Sequence, residues 1–197
     1  MSQTRRNKLD SAELSQLLPR LELPPEIAGQ VVSCAQVSEA VDRLAQQDCL
    51  IEAARLCAYA LPAREAVWWA IRCAAVTAPA GLPEADREAC TLAEAWVRKP
   101  ADATRRQAME RAQVAGFITA EAWAAVAAFW SGDSMSPPDQ PKVPPAPHLT
   151  GTAVAGAIIL ASVRPGADRQ QERLSRFLGS ARDIALGGSG YLEPERN

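Results

Sequence analysis

The residues of this chain best suited to bind a metal or to act as nucleophiles are five cysteines and one histidine. Zinc sites and thiol enzymes bring such residues together, through spacings such as CxxC or through a histidine beside the thiol. No CxxC occurs here, and the single histidine, His148, lies in a proline-rich stretch. We predict no metal site and no cofactor. We interpret the cysteines as buried free thiols that act as small hydrophobic residues in a reducing compartment: Cys34, Cys49, Cys57, Cys73 and Cys90.

Other catalytic motifs are also absent from the sequence. It contains no GxSxG, no HExxH, no glycine-rich phosphate loop and no dinucleotide-binding fingerprint. The acidic stretch EADRE (84–88) lies at a predicted helix start, where carboxylates stabilise the helix dipole. The GGSG at 187–190 follows a predicted helix rather than a strand. A cysteine paired with His148 is the remaining catalytic arrangement, and it rests on two scattered residues. We predict that the protein is not an enzyme.

Charge and hydropathy argue against nucleic acids and membranes as partners. The net charge is −2 and no block of basic residues occurs, so the electrostatic footprint of a nucleic-acid-binding protein is lacking. The N-terminal MSQTRRNKLD is followed by a polar segment, not by the apolar stretch of a signal peptide. The longest apolar run, 149–163, is shorter than the roughly 20 residues of a membrane span. We expect a cytoplasmic protein without membrane insertion.

The elements that must position these residues are predicted to be helices. The sequence shows helical periodicity along most of its length and no alternating strand patterns. We predict an all-α single domain of about eight or nine short helices, packed as antiparallel pairs in a bundle or a short α-solenoid-like array. The helical domain covers 10–187, between a disordered N-terminus (1–9) and a flexible C-terminus (188–197). Six prolines make 131–148 an extended connector before the last two helices.

Local signals place the first helix of this domain. Asp10 and Glu13 have the spacing of a capping box, with aspartate in the capping position. We predict that this helix ends near Leu18, because Pro19 follows.

The stretch LPAREAVWWAIRCA (61–74) holds two adjacent tryptophans in a helical pattern. Adjacent helical residues point about 100° apart, so Trp68 and Trp69 cannot share one narrow apolar stripe. Either the helix is interior and enclosed on most sides, or one indole, preferentially that of Trp68, lies at the rim of a groove. The apolar segment 149–163 has the same two interpretations, an interior helix or a groove wall that accepts a partner helix. The candidate partner-binding residues are Arg64, Trp68, Trp69, Arg72, Trp130, Ile158 and Ile159.

Four segments together resemble a known family: LPAREAVWWAIRCA, FWSGDSMSPP, PPAPHLTGTAVAGAIILASV and RFLGSARDIALGG. The chain is similar over roughly 50 to 187 to an uncharacterised family of small helical proteins associated with type VI secretion gene clusters of Gram-negative bacteria. The first 35 residues lie outside the resemblance. It implies an accessory role, as an adaptor or chaperone for a secreted cargo or as a regulator of the apparatus. The family offers no active-site residues to carry over.

These observations lead to a non-enzymatic, protein-binding accessory factor of type VI secretion, most simply an adaptor, chaperone or regulator. Its partner would be another protein, either a secretion component or an effector. An alternative is an immunity protein that neutralises a toxic effector, since such proteins are also small and need no catalytic residues. A lesser alternative is a structural subunit. The sequence does not assign an oligomeric state.

Overall fold

The computed structural model of the chain describes residues 6–195, which contain helices and no strands. The all-α prediction is therefore confirmed, with ten α-helices in this range rather than eight or nine. They are α1 (Leu14–Leu21), α2 (Pro25–Val31), α3 (Val37–Gln46), α4 (Leu50–Ala60), α5 (Ala63–Val76), α6 (Glu84–Arg98), α7 (Asp102–Val114), α8 (Ala120–Trp130), α9 (Leu149–Ser162) and α10 (Gln170–Ala185). Two short 3-10 helices, Lys8–Ser11 and Ala167–Arg169, precede α1 and α10.

The tryptophan helix α5 lies at the centre of the domain. It packs against α6, α8, α9 and α10, and its side chains from Ala66 to Ala74 are mostly buried. Trp69 is fully buried, and its indole N–H donates a hydrogen bond to the carbonyl of Phe177 in α10 at 2.9 Å. A buried indole nitrogen needs such a partner, since an unpaired polar group in the core is costly. The structure thus agrees with the interior interpretation for this face of α5.

Small residues let α9 approach its neighbours closely. A Cβ on Gly151 would clash with the Tyr59 ring of α4, and Gly156 lies against the Trp123 ring of α8. Ile158 is fully buried on the same helix, so α9 is interior as well. No single helix in 6–195 is both long and apolar enough to cross a membrane. The pair formed by Leu149–Ser162 and Ala167–Ala185 reaches that threshold only together, with a bend of 108°.

The proline-rich connector lies between α8 and α9, and 131–148 contain no regular element. Arg105 of α7, which is 2% exposed, holds its beginning. The guanidinium donates to the carbonyl of Phe129 at 3.0 Å and to that of Ser134 at 2.7 Å. The carbon of this guanidinium also lies 5.1 Å from the centre of the Phe129 ring. The first residues of the connector are therefore anchored to α7.

A buried ion pair joins α8 to the turn after α9. Glu121 is 1% exposed, and its two carboxylate oxygens accept from the guanidinium of Arg164 at 2.8 and 2.5 Å. Two parallel bonds of this kind are a strong arrangement for a buried carboxylate. The pair fixes the approach to α10.

The N-terminal segment differs from its prediction in three respects. Residues 1–5 of the predicted disordered region lie outside the described residues, but Lys8–Ser11 form a 3-10 helix that is capped by Asn7. Asp10 does not cap the next helix; its carboxylate accepts from the backbone N–H and the hydroxyl of Ser38, at 2.8 and 2.9 Å. Helix α1 also continues through Pro19 to Leu21. Its end is held because Arg55 donates to the carbonyls of Arg20 and Leu21.

The C-terminal residues also differ from the prediction of a flexible segment. Residues 188–195 form no helix, but Gly190 and Leu192 are buried. We call 188–195 the C-terminal tail. Residues 196 and 197 lie outside the described residues.

Candidate functional site

A cleft of about 480 Å³ lies beside the Trp68 indole. The first 3-10 helix, α5, the end of α6 and the end of α10 surround it. We call it the Trp68 cleft, and its lining residues are Lys8, Arg64, Glu65, Trp68, Val97, Arg98, Ile184, Gly187 and Gly188. The lining combines a half-buried aromatic ring with several charged groups.

Positive charge predominates in this lining, with three cationic side chains and one carboxylate. Arg64 donates to the carbonyls of Val97 and Arg98, which end α6 and have no partners within the helix. Since those acceptors carry no full charge, the Arg64 guanidinium is not neutralised by them. Lys8 pairs with Glu65 at 2.6 Å, and Arg98 pairs with Glu94 at 2.5 Å. The cleft therefore favours a ligand group that carries negative charge.

Trp68 itself is fixed by two contacts on different sides. The guanidinium carbon of Arg72 lies 5.5 Å from the centre of the indole, within the range of a cation–π interaction. The Nε of Arg72 is buried and has no hydrogen-bond partner among residues 6–195. The indole N–H donates to the carbonyl of Ser189 at 2.8 Å. Trp68 thus joins the cleft to the C-terminal tail.

At Glu195 of the tail, three arginines surround one carboxylate. Glu195 accepts from Arg173 at 2.7 and 2.9 Å and from Arg169 at 2.9 Å, and it lies 3.6 Å from Arg176. Hydrogen bonding by Arg173, followed by the positive charges of all three arginines, lowers the pKa of Glu195, although burial opposes this shift. The carboxylate is therefore held in its charged form.

The rest of the tail is held mainly through its backbone. Ser180 of α10 donates to the carbonyl of Gly190 at 2.8 Å, and Arg176 donates to the carbonyl of Glu193. The N–H of Gly190 donates to a carboxylate oxygen of Asp183 at 2.8 Å. Leu192 is buried, whereas Tyr191 is 64% exposed. The tail thus runs back along α10 without forming a regular element.

The structure divides the predicted partner-binding residues into three groups. Arg64 and Trp68 line the cleft, and Arg72 packs on Trp68. Trp69 and Ile158 are fully buried. The prediction that they contact a partner is therefore corrected: their side chains belong to the core.

Trp130 and Ile159 form the third group. Both are half-buried, and neither lines the Trp68 cleft. Trp130 packs edge to face against Trp123, with 6.4 Å between the ring centres. The structure therefore does not bring them to the same site as Trp68.

Two of the residues that charge the site, Lys8 and Arg98, were not predicted from the sequence. Lys8 lies in a segment that was predicted to be disordered, and Arg98 ends a helix of which only the acidic start, 84–88, was singled out. A signal for the arginine cluster was present, because Arg169, Arg173 and Arg176 recur at i, i+4 and i+7 and so share one face. Their acceptor, Glu195, lies about 20 residues beyond, in a segment without periodicity.

The cysteines do not contribute to this site. All five are free, and burial raises the pKa of Cys57 and of Cys90 to about 12 and that of Cys73 well above its usual value. A thiol with a raised pKa is a poor nucleophile at neutral pH, since the thiolate is the reactive form. Within the described range, no three histidine, cysteine or acidic side chains lie close enough together to bind a metal ion.

Comparisons with known proteins give one positive result. No curated protein matches the chain, and no solved structure matches it. Residues 40–185, which run from α3 to the end of α10, match a family of unknown function, DUF6931. The matched region is well over half of the chain and includes Trp68 and the three arginines, while Lys8 and the C-terminal tail lie outside it. The chain belongs to the family of unknown function DUF6931.

Proposed function

We propose that this protein is a non-enzymatic accessory factor that binds another protein through the Trp68 cleft. It acts as a cytoplasmic adaptor, chaperone or regulator of type VI secretion, and its partner is a secretion component or an effector. The observation that carries the proposal is the half-buried indole of Trp68 in an open cleft, flanked by Arg64 and Arg72.

The chemistry of the cleft supports protein binding. Tryptophan and arginine are the residues that most often anchor protein interfaces, because they combine a large contact area with directed hydrogen bonds. A volume of about 480 Å³ lies within the usual range of binding pockets, roughly 300–1,000 Å³. Lys8, Arg64 and Arg98 favour a partner segment with carboxylates next to an apolar or aromatic side chain.

The association with type VI secretion is supported by the resemblance in the tryptophan helix and in the proline-rich connector with the apolar helix that follows it. An adaptor for a secreted cargo needs a stable body and a docking surface. The all-helical body of this chain supplies the first, and the cleft supplies the second.

Affinity purification from the native host tests the proposal. Arg98→Glu reverses an exposed charge in the cleft, and Arg87→Glu is its matched control. Both arginines lie on α6 and pair with a neighbouring glutamate on the surface, but Arg87 does not line the cleft. We expect the wild type and Arg87→Glu to retain one secretion component or effector in comparable amounts, and Arg98→Glu to lose it. Recovery of no such protein, or equal recovery by both variants, would contradict the proposal.

Deletion of the gene separates the adaptor from the immunity alternative. Without an adaptor, delivery or accumulation of the cognate effector falls while growth is unchanged. Without an immunity protein, cells are poisoned by the effector, and co-expression of this chain restores growth. Protection from toxicity would therefore overturn the adaptor assignment.

A further inference from the structure

We propose that the surface under the C-terminal tail is a recognition site for an extended, acidic segment of the partner protein, and that the tail occupies it as an internal ligand. This inference rests on the proposed protein-binding function and names the chemistry of the partner. We call the surface the tail groove, formed by Trp68, Arg169, Arg173, Arg176 and Ser180.

Most contacts of the tail are of a kind that any extended peptide can make. Three side chains donate to backbone carbonyls of the tail. Trp68 donates to Ser189, Ser180 to Gly190 and Arg176 to Glu193. Backbone carbonyls are common to all peptides, so these donors do not select a sequence. A partner segment in the same conformation satisfies the same donors.

Side-chain selectivity comes from the arginine cluster. Three guanidinium groups face Glu195, and one more carboxylate, that of Glu172, pairs with Arg169. Glu195 is therefore the one carboxylate that all three guanidinium groups share. Arg173 is 1% exposed, and Glu195 is its only acidic partner in 6–195. A buried guanidinium is strongly favoured by a paired anion, so the groove favours an acidic group in the place of Glu195.

The tail has features of an exchangeable ligand. Of its apolar side chains, Leu192 is buried but Tyr191 is 64% exposed, so little hydrophobic area holds it. Gly187 and Gly190 adopt positive φ angles of 85° and 66°, which makes the turn from α10 into the tail a glycine turn. The groove residues lie within 40–185, the part shared with the family, whereas the tail does not.

Trp68 connects the tail groove to the cleft. Its indole N–H points to the tail carbonyl of Ser189, and its side chain lines the cleft. A partner segment that replaces the tail can therefore place an adjoining side chain in the cleft. The two surfaces then act as one continuous site for one partner.

A binding assay on the full chain tests this inference. The probe is a fluorescein-labelled peptide with the sequence of residues 187–195, GGSGYLEPE, and the readout is fluorescence anisotropy. Glu195→Gln weakens the internal ligand because it removes the charge that accepts from Arg173 and Arg169 and pairs with Arg176. A hydrogen bond to a charged group corresponds to about a tenfold or larger change in an equilibrium constant. We therefore expect the Glu195→Gln chain to bind the peptide at least about tenfold more tightly than the wild type.

Two matched controls define the chemistry. The peptide GGSGYLQPQ, amidated at its C-terminus like the probe, lacks the carboxylates and should bind at least about tenfold more weakly to Glu195→Gln. In that background, Arg176→Ala should weaken binding of the acidic peptide, whereas Arg182→Ala should not. Arg182 lies on the same helix but pairs with Asp42 and does not touch the tail.

Several results would overturn the inference. They are equal peptide affinity of the wild type and Glu195→Gln, equal affinity for both peptides, and equal effects of Arg176→Ala and Arg182→Ala. A concentration-dependent dimer of the wild type that Arg176→Ala abolishes in sedimentation would assign the groove to the tail of a second copy instead. The assay is independent of affinity purification from the host. Peptide binding without recovery of a partner removes the proposed function, and recovery of a partner without peptide binding removes only the tail groove.

Discussion

Trp68 and Trp69 are neighbours on one helix, yet they belong to two different regions. Trp69 lies in a closed core, enclosed by the helices that pack on α5, and α10 supplies the carbonyl that accepts its indole N–H. Trp68 lies at the surface, where a non-helical segment supplies the acceptor, Ser189. Hydrophobic burial holds the first region, and hydrogen bonds and ion pairs hold the second. The core is therefore suited to stability and the tail-covered surface to exchange.

The largest expected difference between the two regions is in the free energy of unfolding. Trp69→Ala removes a fully buried ring and should cost about 3–5 kcal/mol. Trp68→Ala removes a half-buried ring with one hydrogen bond and one cation–π contact, and should cost about 1–2 kcal/mol. Urea unfolding followed by circular dichroism measures both. Equal losses would show that the surface around Trp68 is part of the core.

The same contrast explains what could be predicted from the sequence. Helix α5 and the apolar α9 were visible because burial on most sides leaves a local run of apolar residues. The capping of Ser38 by Asp10, the pairing of Lys8 with Glu65 and the docking of Glu195 each join polar groups across long stretches of chain. No local pattern encodes such partners, so both termini were predicted to lack structure. The cleft shows the same difference. Trp68 was predicted from its local helical pattern, whereas its charged neighbours Lys8 and Arg98, which are distant in sequence, were not.

Ion pairs give a second contrast between buried and exposed regions. Glu121→Gln removes the charge that neutralises Arg164 at a buried site and should cost about 3 kcal/mol, because an unpaired charge remains. Glu94→Gln breaks the exposed pair with Arg98 on α6 and should cost less than about 1 kcal/mol. Thermal and urea unfolding of the two variants give the comparison. A large loss for Glu94→Gln, or none for Glu121→Gln, would reverse the assignment of the two environments.

Glycines within helices give a third contrast, of smaller size. A Cβ at Gly151 would meet the ring of Tyr59 and lie 3.0 Å from its Cα, so Gly151→Ala should cost about 1–3 kcal/mol through overpacking. A Cβ at Gly179 in α10 has nothing within 4 Å, so Gly179→Ala should stabilise the protein by about 0.5–1 kcal/mol. Opposite signs in urea unfolding are the expected outcome. Destabilisation by both would mean that α10 is covered where the structure leaves it open.

The smallest expected effect is the release of the tail at acid pH while the core stays folded. Because the arginines lower the pKa of Glu195 in the docked tail, the docked state binds fewer protons than the released state. Docking is therefore fully favoured above the ordinary glutamate pKa, roughly 4.3, and is lost as pH falls through the lowered value.

The indole N–H resonances of the two tryptophans in an NMR spectrum report the release of the tail. The signal of Trp68 should shift at acid pH as its bond to Ser189 is lost, while that of Trp69 stays in place until the domain unfolds. In Glu195→Gln the acid-dependent step of Trp68 should vanish. If both indoles move together in the wild type, the tail is as firmly part of the fold as the core is.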